Sequence, residues 1–368
     1  MRILMTADPI GGVWTYALEL AQGLGEKGVD VAIATMGAPL TREQRLEIQQ
    51  LPGLEVFESR FKLEWMDDPW ADIARAGEWL LQLETQLQPD IVHLNGYVHG
   101  ALPWCTSTLI VGHSCVLSWW QAVKGKAAPR DWDRYRQAIT QGLQATERVI
   151  APSHAMLAAL QQHYGPLPEC RVIPNGRNPA RFRPGEKSEI ILSVGRLWDE
   201  AKNLSVLEQV ASDLEWPIYV AGELRHPQGG AVEPEQVRLL GRLSCPALIP
   251  WLAQAAIYAL PARYEPFGLS ILEAGLAGCA LVLGDIPSLR EIWREAALFV
   301  PPDDIEALRH SLKGLIANPE RRKILAVKAR DRALKFTSQR MAAGYLAVYA
   351  ELANANMQSD QAEATCKS

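Results

Sequence analysis

Apolar residues in this chain fall into short unbroken runs, separated by longer stretches in which they recur every three to four positions. The runs Ile3–Ala7, Val29–Thr35, Leu54–Glu58, Asp90–Leu94, Leu109–Gly112, Val149–Ala151 and Val172–Pro174 read as strands. Helical spacing fills the gaps, for instance over Val13–Lys27, Ala71–Gln88, Tyr135–Thr146 and Ala155–His163. The pattern restarts with Ile190–Val194. It continues through Pro217–Ala221, Val237–Leu240, Ile257–Leu260, Leu281–Gly284 and Leu298–Val300. Three helical stretches close the chain: Ile305–Ile316, Glu320–Lys335 and Ser338–Asn354. Strand–helix alternation with short connections predicts a parallel sheet flanked by helices, built twice. Asn175-Gly176 is a turn signal, and the polar, proline-containing stretch 177–187 reads as a linker.

The most informative local stretch is Tyr264-Glu265-Pro266-Phe267-Gly268-Leu269-Ser270-Ile271-Leu272-Glu273. A buried strand precedes it, Pro266-Phe267-Gly268 makes a turn, and helical spacing begins at Leu269. Glu265 is thereby expected at the carboxyl edge of a parallel sheet, where doubly wound folds bind ligands. Glu273 is expected to project from about the first turn of the helix that follows. The amides of Gly268, Leu269 and Ser270 would face an anion, helped by the helix dipole. Such a pair of carboxylates suits sugar and ribose hydroxyls, although either alone could be a solvated or capping residue. Arg196 follows the first strand of the second half, and Lys202 follows after a short loop. A guanidinium fork and an ammonium beside a helix start can neutralise a diphosphate without a divalent metal. Gly11-Gly12 stands between the first strand and its helix, with no G-x-G-x-x-G fingerprint, so a dinucleotide site is not supported.

Together these stretches resemble the retaining glycosyltransferases of family four (glycosyl transferases group 1), which have the GT-B fold. Glu265 and Glu273 match the family's E-x7-E element, and Arg196 with Lys202-Asn203-Leu204 its phosphate-binding pair. Val172-Ile173-Pro174-Asn175-Gly176 with Arg181-Phe182 is similar to its interdomain signature, and Pro9–Val13 to its glycine loop. The resemblance runs from about residue 2 to residue 350. It implies an α/β architecture of two Rossmann-like doubly wound domains facing a central crevice. Residues 1–180 would form an acceptor-side domain and 181–337 a nucleotide-sugar-binding domain. A helix at 338–356 would cross back to the first domain, with a tail at 357–368.

The activity implied is transfer of a hexosyl unit from a nucleotide diphosphate sugar, UDP- or GDP-linked, to a hydroxyl of a glycan, lipid or small molecule. The implied mechanism is front-face, with retention of configuration. Donor contacts are expected from Gly11, Gly12, Arg196, Lys202, Leu243, Glu265, Phe267, Gly268, Leu269 and Glu273. His113, at the end of a strand, is expected to touch the donor sugar. The catalytic set is His113, Glu265, Arg196 and Lys202. On the acceptor side stand His93, with His99 beside it, and Trp119-Trp120, the latter followed by several cations. Trp119-Trp120 also reads as part of a solvated loop leading into a helix. No cofactor or metal is expected, since no Asp-x-Asp stands at a strand end; Asp131-Trp132-Asp133 lies elsewhere. Two other classes stay open: a non-transferring sugar-nucleotide enzyme of the same fold, and a catalytically silent binding protein. The family's usual Gly-x-Gly is reduced to Gly222-Glu223-Leu224, followed by an unusual loop at 225–234, so the nucleobase is not specified.

Composition narrows the field further. The 368 residues suffice for two or three domains. Basic and acidic residues number 15 and 19 in residues 1–180 and 22 and 23 beyond, which excludes the basic excess of a nucleic-acid binder. No run approaches the ~18 apolar residues of a membrane span, leaving peripheral membrane contact open. With a strand at the start of the sequence, no signal peptide is expected. Six scattered cysteines without CxxC spacing fit free thiols in a cytoplasmic protein.

Overall fold

The computed structural model describes residues 1–225 and 234–366, side chains from 356 onward excepted. Two compact units emerge. The first comprises Met1–Ser118, Ala127–Pro174 and the chain from Ser338 on; the second comprises Trp119–Lys126 and Asn175–Thr337.

The first unit holds a seven-stranded, wholly parallel sheet of β1 (Arg2–Ala7), β2 (Asp30–Thr35), β3 (Glu55–Glu58), β4 (Ile91–Leu94), β5 (Thr108–Val111), β6 (Arg148–Ala151) and β7 (Cys170–Val172). The spatial order is β3-β2-β1-β4-β5-β6-β7. β1 pairs with β2 (Leu4↔Ala32) and with β4 (Leu4↔Val92), so the direction of winding reverses between β1 and β4. Helices follow the strands: α1 (Gly12–Gly25), α2 (Arg42–Gln49), α3 (Trp70–Leu87), α4 (Val116–Lys124), α5 (Asp133–Ala145) and α6 (His154–Tyr164). α2 is started by a capping box in which Thr41 and Gln44 satisfy each other's backbone N–H. Leu80, Leu83 and Leu87 of α3 pack under Leu4, Ala32 and Ala34. Ile139 and Leu143 of α5 pack with Val92, Ile110 and Val149.

The second unit holds a six-stranded parallel sheet of β8 (Ser188–Val194), β9 (Ile218–Ala221), β10 (Arg238–Gly241), β11 (Ala255–Leu260), β12 (Ala280–Gly284) and β13 (Leu298–Val300). Its order is β10-β9-β8-β11-β12-β13, so winding reverses between β8 and β11. Both sheet faces are covered, by α7 (Leu204–Ala211), α8 (Cys245–Gln254), α9 (Leu269–Leu276), α10 (Pro287–Trp293), α11 (Ile305–Ala317) and α12 (Pro319–Ala333). Alternate strand residues feed opposite cores. Leu192, Tyr258 and Leu281 meet α8, α9 and α10, while Ile191, Ile257 and Val282 meet α7 and α11. This two-sided burial explains why these strands read as unbroken apolar runs.

The final helix, α13 (Ser338–Cys366), belongs to the first unit and packs on α1, where a Cβ on Gly23 would come within 3.0 Å of Ala342 Cβ. Its backbone runs on as helix through residues 357–366, where the sequence suggests only a polar tail. The stretch 177–187 differs from the linker expected of it. Phe182 is buried in the second core and Arg177 N–H donates to Phe336 O at 3.2 Å, so these residues are part of the second unit. The unusual loop lies mostly outside the described residues. Trp119-Trp120 stand on a helix, α4, and the stretch Trp119–Lys126, which runs two residues past its end, groups with the second unit.

Candidate active site

In the second unit the sequence-selected residues converge at the carboxyl edge of the sheet, at its point of reversed winding. Arg196 and Lys202 follow β8, and Glu265 follows β11. Lys202 Nζ lies 2.7 Å from Glu265 Oε2, with the two side chains only 13% and 14% exposed. A Cβ on Gly195 would come 3.2 Å from the Lys202 stem, so that glycine leaves the lysine room. Asn203, with φ 59°, turns the chain from Lys202 into α7, and its Nδ2 donates to Pro261 O at 3.0 Å and Pro302 O at 2.6 Å. Glu265 is fixed from behind by Ser288, whose hydroxyl donates to its carbonyl at 2.6 Å.

α9 begins at Gly268, whose φ of 88° lies in the left-handed region and whose added Cβ would strike Ile271 Cδ1 at 2.6 Å. No side chain caps this helix. On its second turn, Glu273 is buried and paired with Arg177, Nε to Oε1 at 2.8 Å, the side chains 3% and 8% exposed. Arg177 also stacks over the Phe182 ring at 5.0 Å and points Nη2 at Cys245 Sγ, 3.4 Å away.

Asp199 lies between the two cations. Arg196 Nη2 approaches its Oδ2 at 3.1 Å, and both Trp119 Nε1–H (2.9 Å) and Ala201 N–H (3.0 Å) donate to its Oδ1. Burial opposes ionisation here, but Arg196, Lys202 and these donors outweigh it and hold the carboxyl below its usual value. Arg196 also lies over the Trp198 ring, at 5.3 Å. Lys124 pairs with Glu200 at 2.6 Å.

The first unit repeats the plan. Gly11 (φ 90°) opens α1 without a side-chain cap, and Gly11 and Gly12 are both exposed. Asp8 Oδ1 accepts Ile10 N–H at 2.7 Å and steadies the turn. His113, two residues past β5, is half-buried, with Nε2 2.8 Å from Asn95 Oδ1 and its ring edge-on to Tyr16 at 4.5 Å. Burial lowers its pKa to about 3. Behind it His93 is wholly buried, Nδ1 2.6 Å from Tyr349 OH and Nε2 3.3 Å from both Tyr16 OH and Asn95 Oδ1. Burial, then the neighbouring His113, lowers the His93 pKa to about 3. Glu64, on the same edge, accepts the backbone N–H groups of Tyr97 and Val98, and burial raises its pKa to about 7.

Comparison with known proteins decides the family. Residues 10–181 match the model for Glycosyltransferase Family 4, and residues 176–332 match the model for Glycosyl transferases group 1. The chain belongs to these glycosyltransferases. Among its relatives, the D-inositol 3-phosphate glycosyltransferase of Jonesia denitrificans is 24% identical across 92% of this chain and 91% of its own. The glycogen synthase of Mycobacterium tuberculosis is 27% identical across 90% of each. Of solved structures, sucrose-phosphate synthase from Thermosynechococcus elongatus matches with a TM-score of 0.82 at 20% identity, covering 96% of this chain and 100% of that one. The Anabaena protein HepE in complex with UDP-glucose gives 0.76 at 18%, covering 95% and 100%. These likenesses carry the fold, which is GT-B.

In this glycosyltransferase, Arg196, Lys202, Glu265 and the start of α9 lie together, and Leu243 stands two residues past β10 on the same edge. Phe267 has its ring in the core, edge-on to Phe336 at 5.7 Å. Leu269 packs partly into that core. His93 and His99 are both buried, His99 donating from Nε2 to Ile73 O at 3.2 Å, so neither is offered to an acceptor. The Trp119 indole N–H is taken by Asp199. Three residues escaped the sequence reading. Asp199 has a signal, an acid three positions from both Arg196 and Lys202. Arg177 follows the Asn175-Gly176 turn directly. Asn95 offered only its place after a strand. Among the described residues no three His, Cys, Asp or Glu side chains group as metal ligands, and no helix is long and apolar enough to cross a membrane.

Proposed function

We propose that this glycosyltransferase moves a hexosyl unit from a UDP- or GDP-sugar to a hydroxyl acceptor with retention of configuration. The observation that supports this most is the ion pair of Lys202 with Glu265 at the reversal point of the second sheet, beside the uncapped start of α9. An arriving diphosphate competes with Glu265 for the Lys202 ammonium. Each carboxylate oxygen so released becomes an acceptor for sugar hydroxyls, so donor binding exchanges one set of charge-assisted bonds for another. Arg196 and the α9 amides add positive charge where the leaving group's charge develops. We assign Glu273 to the ribose, Leu243 to the base, and the Gly11-Gly12 turn and His113 to the donor's diphosphate and sugar.

In the front-face reaction the bond from the anomeric carbon to the diphosphate oxygen breaks. The acceptor oxygen bonds to that carbon on the same face, and its proton passes to the departing phosphate. The protein positions the reactants and stabilises charge, with no enzyme nucleophile, metal or cofactor required. The acceptor is a glycan, lipid or small molecule, and the setting is the cytoplasm.

A thermal-shift screen of nucleotide sugars, headed by UDP-glucose, identifies the donor. NMR of the product then reads the anomeric configuration, with and without EDTA. Retention and survival on chelation are expected. An inverted product overturns the mechanism, and loss on chelation restored by Mg²⁺ overturns its metal independence.

A further inference from the structure

The Asn95 side chain has one orientation open to it. Its Nδ2 lies 2.7 Å from Thr6 O, a carbonyl that can only accept, while its backbone N–H donates to Thr6 Oγ1 at 2.9 Å. Oδ1 therefore faces the imidazoles, 2.8 Å from His113 Nε2 and 3.3 Å from His93 Nε2. An amide oxygen only accepts, so the proton at the short contact belongs to His113 Nε2. Turning the amide over would set its oxygen against the Thr6 carbonyl, two acceptors with no proton between them. His93 reinforces the arrangement: with Nε2 also facing Oδ1, its Nδ1 accepts the Tyr349 O–H at 2.6 Å. The anchor is the backbone itself, because Thr6 is the last residue but one of β1 and Asn95 follows β4, the two strands flanking the reversal of winding.

We propose that Asn95 is a positioning residue that locks His113 as the Nε2–H tautomer, so that Nδ1 meets the donor as a hydrogen-bond acceptor. This rests on the assignment of His113 to the donor sugar. The ring, neutral at physiological pH, then receives a hydroxyl. A carboxylate in the same place would face a lone pair, so the arrangement favours a neutral hexose over a uronic acid.

The test is long-range ¹H–¹⁵N NMR of the ¹⁵N-labelled full chain, with the His113 signals identified by their loss in His113→Gln. In the wild type, His113 is expected as a single Nε2–H tautomer at neutral pH; an Nδ1–H ring overturns the proposal without any variant. Asn95→Ala should release the ring to a mixture of tautomers and lower kcat/KM for the donor about tenfold, whereas Asn95→Asp should keep the proton on Nε2. An unchanged tautomer in Asn95→Ala overturns the role of Asn95. Wild-type turnover in His113→Gln, with the tautomer as expected, instead overturns the assignment of His113 to the sugar.

Discussion

Replacing Arg177 by Met tests whether the buried carboxylate on α9 serves stability, ligand binding or both. Arg177 and Glu273 are among the least exposed ion partners in the second unit, at 3% and 8%, and their 2.8 Å contact lies on the second turn of α9. Removing the guanidinium leaves a carboxylate in the core, and breaking a buried pair this way costs about 3–5 kcal/mol. Domains of roughly 150–250 residues shift by about 2–4 °C per kcal/mol, so the melting temperature of this unit should fall by about 6–20 °C. Pairing Arg177→Met with Glu273→Leu removes both charges and should return stability to within about 2 kcal/mol of wild type. Nucleotide binding should not return with it. Charged hydrogen bonds of about 1.5–3 kcal/mol to the ribose are lost with Glu273, a weakening of tenfold or more. Urea unfolding followed by tryptophan fluorescence reads the stability, and calorimetric titration with UDP and GDP reads the binding. An Arg177→Met cost below about 1 kcal/mol refutes the buried-pair reasoning. A double variant that recovers both stability and full nucleotide affinity refutes the ribose assignment.

Arg196→Ala should reduce turnover by about 10²–10³ while leaving the unfolding midpoint nearly unchanged, because its side chain is 37% exposed and meets Trp198 and Asp199 at the edge of the sheet; a collapse in stability instead would make it structural. Gly222→Ala sets a Cβ 1.7 Å from Gly195 O at a φ of 152°, so it should destabilise by several kcal/mol and displace the strand end that leads to Arg196, read by unfolding and donor binding together. His93 and His99 have folded pKa values of about 3 and 4, below the ~6.5 of an unfolded histidine. Their contribution is complete above ~6.5 and is lost as pH falls towards 4, by up to ~1.4 kcal/mol per pH unit each. Glu64, raised to about 7, acts oppositely between ~4.5 and 7, so a net rise of stability with pH is expected from ~4.5 to ~6.5 and a fall from there to 7. His99→Gln should flatten that slope in urea titrations at stepped pH, and an unchanged slope counts against the buried neutral ring.

Much of this was legible in the sequence because parallel strands covered on both faces leave uninterrupted apolar runs, as Ala255–Leu260 does in β11. Strand ends then locate loops, which is why Arg196, Lys202 and Glu265 could be placed at one edge from spacing alone. What spacing cannot carry is pairing between distant residues. Nothing local distinguishes Arg177 in a polar, proline-bearing stretch from a solvated linker cation; its burial follows from Phe182 and Glu273. His93 and Trp119 have the composition of ligand-binding residues, yet their hydrogen bonds go to Tyr349 and Asp199, far away along the chain. Asn95 was unreadable for the same reason, since its meaning lies in the carbonyl of Thr6.

The packing of α13 on α1 bears on the order in which the protein can be made. Ala342, which meets Gly23, lies 319 positions further along the chain. At about 5–20 residues per second, a ribosome needs roughly 15–60 s to travel between them. Through that interval α1 lacks the helix that covers it, and the His93 ring lacks the Tyr349 hydroxyl. The second unit is drawn largely from one stretch, Asn175–Thr337, and can close as soon as that stretch is out. Synthesis therefore completes the units in reverse of their numbering, with the amino-terminal sheet waiting for the last helix. Contacts of such sequence separation close slowly, and a chain that stops at Thr337 would carry a finished second unit beside an unfinished first one.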